Sequence, residues 1–432
     1  MNIKLQKSKI VNLQSSIKIT GSKSETNRLL LLQALYPNLV LENTSNSDDS
    51  EVMLEALTNS YHTSSISKTI DVHHAGTAMR FLTAFFAIQE GKEVVLTGSN
   101  RMKERPIKIL VDALNCLGAE IYYEEKEGFP PIRIQGKKLT NNKVALPANV
   151  SSQYISALLL IAPKLENGLE LTLEGEVTSV PYIKMTLALL NEIGVKTSFI
   201  DNSIKIEYLS QIPPSGVRGL IESDWSSASY WYSIIALSEI GTQIILSSYK
   251  QNSLQGDSAL VEIYKDFGVE TIFKDYQLFL HKVENVKPET LNLKLNNCPD
   301  IAQTIAVTCF GLGIACELSG LHTLKIKETD RLEALKTELS KLGAKISVTN
   351  DALHLEPSSE FIENVSIATY QDHRMAMAFA PLALKTSLTI ENAEVVSKSY
   401  PTFWEDLKSV GSWIQDLNAT RSVTNVLFKF SF

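Results

Sequence analysis

The chain has 432 residues, 44% of them hydrophobic and 21% charged. This is ordinary globular composition, with a length suited to about two to three domains that need no disulfide staples. A formal charge of −7 argues against a general binder of nucleic acid or anionic membranes, although a local basic pocket can still gather anions in an acidic protein. Four cysteines without CxxC spacing, a start lacking a long apolar signal core, and apolar runs well short of the ~20 residues a bilayer requires predict a cytoplasmic protein.

Six apolar helices are expected, each opening on a small, polar or charged cluster. The first follows Gly21-Ser22-Lys23-Ser24, where Ser22 and Glu25 have capping-box spacing and Ser24 and Arg28 share a face. The second follows His74-Ala75-Gly76-Thr77, ahead of Phe81-Leu82. Next, Arg101-Met102-Lys103-Glu104-Arg105-Pro106 places three cations just after an apolar strand, with Pro106 suited to the first turn of a further helix. In that helix Cys116, between Leu114 and Leu117, reads as a core thiol rather than a nucleophile.

Ser151-Ser152-Gln153, Asp224-Trp225-Ser226-Ser227 and Pro299-Asp300 open the third, fourth and fifth apolar helices. In the segment Lys325 to Arg331, Asp330 can cap a helix with Glu333 three residues on, which fixes Lys327, Glu328 and Arg331 around its start. A carboxylate held between cations at a rigid helix start suits proton transfer; the alternative is a surface ion-pair cluster. Asp372-His373-Arg374 opens the sixth helix, with Met375 and Met377 as core candidates and Lys398 in the loop leading to Pro401. His373 has no metal-ligand spacing to other side chains, and neither GxGxxG nor GxxxxGK[ST] is present. Helix starts present unpaired N–H groups and the positive dipole end, so six of them facing one space would form an anion receptor.

A repeat underlies these elements. Residues 110–135, 185–207, 259–281 and 334–356 share the order apolar helix, glycine, strand, turn, strand. Their helix-ending glycines, Gly118, Gly194, Gly268 and Gly343, are 76, 74 and 75 residues apart and suit left-handed caps, and Gly411 follows after 68. Residues 48–57 form an eroded sixth copy whose strand pair is missing between Leu57 and Ile70. An apolar strand feeds each helix: 40–41, 94–96, 169–173, 244–246, 316–318 and 388–390. The expected fold class is α/β, with two similar lobes of three βαβαββ-type units each, helices inward and mixed sheets outward as an inverse α/β barrel, and an active site in the interlobe cleft. The expected lobes are 1–20 plus 225–432, and 21–224.

Read together, residues 21–28, 75–80, 101–106, 151–153, 327–331 and 372–377 resemble the 5-enolpyruvylshikimate-3-phosphate synthase family, from Gly21 to about Leu407. The resemblance implies transfer of the enolpyruvyl group of phosphoenolpyruvate to shikimate 3-phosphate, without cofactor or metal, by a monomer that binds neither nucleic acid nor membrane. It implies that Lys23, Ser24, Arg28, Ser151, Ser152, Gln153, Ser179, Tyr182, Thr323 and Lys327 hold shikimate 3-phosphate, with Asp300 beside the attacking hydroxyl. Phosphoenolpyruvate would lie against Lys23, Gly76, Arg101, Gln153, Arg331, Arg374 and Lys398. Asp300, Glu328 and Lys23 would be catalytic. Three positions depart from the family pattern: His74 and Thr323 stand where Asn is usual, and Phe81 where Pro is common. Gly76 keeps the space that the family's inhibitor glyphosate needs. The nearest relative in chemistry, UDP-N-acetylglucosamine enolpyruvyl transferase, relies on a loop cysteine and lacks the motif from Lys327 to Arg331. A noncatalytic anion-binding relative is the other alternative.

Overall fold

The computed structural model describes residues 1–8, 14–62, 67–149, 151–175, 177, 179–212, 217–285, 288–411 and 414–416. These form two compact units, one of the described residues within 1–19, 223–253 and 257–432, the other of those within 20–222 with 254–256. Each unit has its own hydrophobic core. Among the described residues, no helix is long and apolar enough to cross a membrane.

All six expected helix starts are present. In the unit of residues 20–222, the helices Lys23–Leu35, Gly76–Ala87 and Ser152–Ile161 pack against one another. In the other unit Trp225–Leu237, Ala302–Leu312 and His373–Phe379 do the same. Each lies in its core through an apolar run: Leu29 to Leu32, Phe81 to Ala87 and Met375 to Ala380 are all buried.

The sheets surround these helices and repeat one plan: a strand parallel to the next, then two antiparallel strands. Ser67–Asp71 pairs parallel with Glu93–Thr97, which pairs antiparallel with Ile132–Gln135, itself paired with Glu120–Tyr123. The same order holds for the sheet of Lys143–Pro147, Leu169–Glu174, Ser203–Ile206 and Thr197–Ile200. It holds again for Gln14–Ile17, Gln243–Ser247, Gln277–Lys282 and Val269–Lys274, and for Thr290–Lys294, Ala315–Ser319, Ala352–Leu355 and Ile346–Val348. Strands such as Glu93–Thr97 and Gln243–Ser247 alternate buried and more exposed residues, as sheets with one face on a core do. In three of these sheets the parallel pair is joined through a buried helix, at 76–87, 152–161 and 302–312, which supplies the crossover that parallel pairing requires.

Two sheets depart from a simple chain-order repeat. In the last, Val365–Ile367 and Leu388–Ile390 are followed by Ile3–Leu5 and then Ile414–Asp416, so a strand from near the start of the chain fills the third position. In the first repeat, Leu39–Glu42 pairs only with Val217–Leu220 among the described residues, in keeping with the missing strand pair. Part of that eroded stretch, residues 63–66, lies outside the described residues. Gly118, Gly194, Gly268 and Gly343 all have positive φ, as expected for left-handed caps.

Two local expectations are corrected. Cys116 is exposed, because it ends the Lys108–Cys116 helix on the face opposite Leu110, Ala113 and Leu114. That helix begins at Lys108, so Pro106 lies before its first turn, where its carbonyl accepts hydrogen bonds from Arg80 and Tyr154.

Candidate active site

In the unit containing both chain ends, the segment before the Arg331–Lys341 helix and the start of the His373–Phe379 helix build a compact ion cluster. Asp330 caps the first helix, its Oδ1 accepting from the Glu333 N–H at 3.2 Å, and this sets Arg331 at the helix start. The Arg331 side chain is 2% exposed and spends its guanidinium on three carboxylates: Nε donates to Asp372 at 2.7 Å, Nη1 to Asp300 at 2.9 Å and Nη2 to Glu328 at 2.7 Å. Asp372 also caps the other helix by accepting from the Arg374 N–H at 2.8 Å. Arg374 returns to Asp300, donating to its carboxylate and its carbonyl, both at 3.1 Å, and Lys327 Nζ lies 3.5 Å from the same carboxylate.

Three cations and three carboxylates therefore balance in a largely buried space. Burial opposes ionisation of Asp300, but Arg374, Lys327 and Arg331 outweigh it and hold the carboxyl well below the usual range. Burial lowers the pKa of Lys327, against the smaller upward pull of Asp300. For Arg331 burial also pulls down, yet Asp372, Glu328 and Asp300 together raise it. Ser226 bridges Arg374 Nη2 to Asp257, whose carboxyl is pushed up to about 7 by burial and then by the charge of Asp300.

Lys398 is buried on the adjoining turn, donating from Nζ at 2.7 Å to the carbonyl of Gln371; Tyr370 and Gln371 there both have positive φ. Thr323 lies in the short turn His322–Ile326 ahead of Lys327, and its buried hydroxyl has no hydrogen-bond partner among the described residues. His373 is buried, its Nδ1 3.9 Å from Asp372.

In the other unit Ser22 caps the Lys23–Leu35 helix, accepting from the Glu25 N–H at 3.4 Å. The reciprocal arm of the expected capping box goes elsewhere: the Ser22 N–H donates to the Glu222 carbonyl, and the Glu25 carboxylate accepts from the Glu222 N–H and from Gln255. Lys23 Nζ lies 3.4 Å from Asp49, which also has His74 Nε2 at 3.9 Å. Arg28 is buried and donates to the Ser24 and Tyr182 carbonyls and to the Thr186 and Ser156 hydroxyls, tying the helices at 23, 152 and 180 together. Burial lowers its pKa to about 10, which leaves it charged at neutral pH.

Ser151 caps the Ser152–Ile161 helix, and Gln153 Nε2 reaches the Thr77 hydroxyl at 3.2 Å, next to Gly76 at the start of its helix. Ser179, with φ of 56°, precedes the Val180–Glu192 helix that carries Tyr182. Arg101 stands apart: its side chain is 44% exposed and its Nη1 lies 3.0 Å from Glu104. Asp372, named from sequence only as part of the cluster opening the sixth helix, proves to be a partner of Arg331, whereas Asp49 and Asp257 join these clusters without having been singled out and belong to no motif.

The sequence model of the EPSP synthase (3-phosphoshikimate 1-carboxyvinyltransferase) family matches residues 45–407. A 3-phosphoshikimate 1-carboxyvinyltransferase of Bacteroides fragilis (strain YCH46) is 45% identical over 409 residues, covering 93% of this chain and 97% of its own. One from Pasteurella multocida (strain Pm70) is 36% identical over 424 residues, covering 91% and 94%. The solved EPSP synthase of Acinetobacter baumannii aligns with a TM-score of 0.77 over 96% of this chain and 99% of its own, at 20% identity, a likeness of fold alone. By the extent of the family match and the identity to these relatives, the chain belongs to the EPSP synthase (3-phosphoshikimate 1-carboxyvinyltransferase) family.

Proposed function

We propose that the chain transfers the carboxyvinyl group of phosphoenolpyruvate to the 5-hydroxyl of shikimate 3-phosphate and releases phosphate, a step of aromatic amino-acid biosynthesis. The observation that carries this reading is the pair Asp300 and Glu328 on a single buried arginine, with Lys327 and Arg374 beside them. Carboxylates inside an anion site weaken binding unless they move protons, so their presence favours turnover over mere binding.

In this reading Lys23, Ser24, Arg28, Ser151, Ser152, Gln153, Ser179, Tyr182, Thr323 and Lys327 serve shikimate 3-phosphate. Lys23, Gly76, Arg101, Gln153, Arg331, Arg374 and Lys398 serve phosphoenolpyruvate. The hydroxyl oxygen adds to C2 of phosphoenolpyruvate as Asp300 takes its proton, and Glu328 delivers a proton to C3. The tetrahedral intermediate then loses phosphate from C2 while a proton leaves C3. Lys23 stabilises charge on the phosphoenolpyruvate oxygens. Asp300 starts as a weak base because three cations hold it; arriving anions share those cations and raise its proton affinity when the hydroxyl is in place. The enzyme acts in the cytoplasm as a monomer on this reading.

Phosphate release with both substrates present tests the proposal, since a noncatalytic binder releases none. Glu328→Gln and Lys23→Met should fold and lose most activity; normal turnover by Glu328→Gln would remove it from the proton-transfer role. Millimolar glyphosate should inhibit, as a dose series would show.

A further inference from the structure

Arg105 differs from the other two cations of its motif. Arg101 and Lys103 pair with Glu104 and Glu125, whereas Arg105 is 8% exposed and its buried Nε has no hydrogen-bond partner among the described residues. Its guanidinium sits against Gly76: a β-carbon built there would stand 2.6 Å from Nη1, 2.7 Å from Nη2 and 2.9 Å from Cζ. Gly76 is the first residue of a 12-residue helix whose N-cap, Ala75, offers no side-chain cap. The neighbouring backbone is anchored to that helix, because Arg80 donates both to the Gly76 carbonyl and to the Pro106 carbonyl. A charged fork thus lies at an uncapped helix start, and the Gln153 amide donates to Thr77, the next residue of that helix, a combination suited to a phosphoryl group.

We propose that Arg105 is a specificity-determining residue for phosphoenolpyruvate, gripping its phosphoryl group at the start of the Gly76–Ala87 helix from the space that a side chain at position 76 would fill. This rests on the function proposed above and adds a reason for glycine at 76. Any side chain there pushes on the guanidinium, so the two positions act as one.

The test is a double-substitution cycle read by calorimetric titration of phosphoenolpyruvate and by steady-state kinetics. Arg105→Gln should weaken phosphoenolpyruvate binding and raise its KM by about 10- to 100-fold, the range for a charge-assisted hydrogen bond. KM for shikimate 3-phosphate should change less than about twofold by the same scale. Gly76→Ala should weaken phosphoenolpyruvate binding in the unaltered chain, and add almost nothing on top of Arg105→Gln. Arg105→Lys should restore part of the affinity and reduce the cost of Gly76→Ala, because its single ammonium leaves more room; this arm also decides the matter should Arg105→Gln not fold. Additive effects, an unchanged phosphoenolpyruvate affinity in Arg105→Gln, or no binding by the unaltered chain would overturn the proposal. If the unaltered chain binds phosphoenolpyruvate yet releases no phosphate, the catalytic reading fails while the cycle still decides the role of Arg105.

Discussion

A buried carboxyl that forms no direct ion pair among the described residues keeps its proton longer, and Asp257, linked to Arg374 only through Ser226, is such a group beside the charged cluster. Its pKa of about 7 in the fold, against about 3.9 in an unfolded chain, means that between these values the folded form holds a proton the unfolded form has lost. Stability contributed by this group is therefore present at low pH and declines as pH rises from about 4 to about 7. Asp257→Asn should remove that decline. The variant should gain stability over the parent between pH 5 and pH 8, by at most about 1.4 kcal/mol per pH unit within the window, as read from urea midpoints at both values. A gap that stays constant would show that Asp257 ionises in the ordinary range. The opposite sign holds for Asp300, whose contribution is present above the unfolded carboxyl pKa and is lost as pH falls. At this scale the sequence exposes residues that sit in motifs, such as Glu328, Arg331 and Arg374. It hides Asp257 and Asp49, which reach their partners through folding alone, and it does not say which arginine of residues 101–105 turns inward, because that depends on how the 100–103 turn packs.

Among the elements, the Arg331–Lys341 helix start has the most direct link between local signal and site. Asp330→Ala removes the cap and should cost about 1 kcal/mol in urea unfolding, with a larger relative loss of activity because the same cap fixes Arg331. Equal, small effects on both would separate the cap from the cluster. Helix starts, strand pairs and left-handed glycine caps were legible because each depends on a short window of sequence. The misplacements have equally local causes: Cys116 lies on the face of its helix opposite the buried stripe, and the helix start near Pro106 is displaced because its carbonyl is used by Arg80 and Tyr154. The half-formed capping box at Ser22 fails for a longer-range reason, since Glu222 takes the hydrogen bond that Glu25 would have accepted.

For the molecule as a whole, the α/β class and the repeat could be read from spacing, but the pairing of Ile3–Leu5 could not. That strand joins partners nearly four hundred residues away, beyond the reach of any periodicity. Ile3 and Leu5 are both buried, so the strand is part of the core rather than a loose end. Leu5→Ala should destabilise the protein by about 2–5 kcal/mol, as for other buried leucines, with urea unfolding as the readout. A cost below about 0.5 kcal/mol, typical of surface sites, would mean that the strand is dispensable.

That strand also sets an order of events during synthesis. The ribosome makes Ile3–Leu5 some four hundred residues ahead of Ile414–Asp416, roughly 20–80 seconds earlier at elongation rates of about 5–20 residues per second. For most of that interval an apolar segment waits without either of its two neighbours, Leu388–Ile390 and Ile414–Asp416, while the stretch from residue 20 to 222 has already emerged. The nascent chain therefore carries this piece long before its partners, and a ribosome stalled between residues 390 and 414 leaves one edge of it available to holdase chaperones or to aggregation.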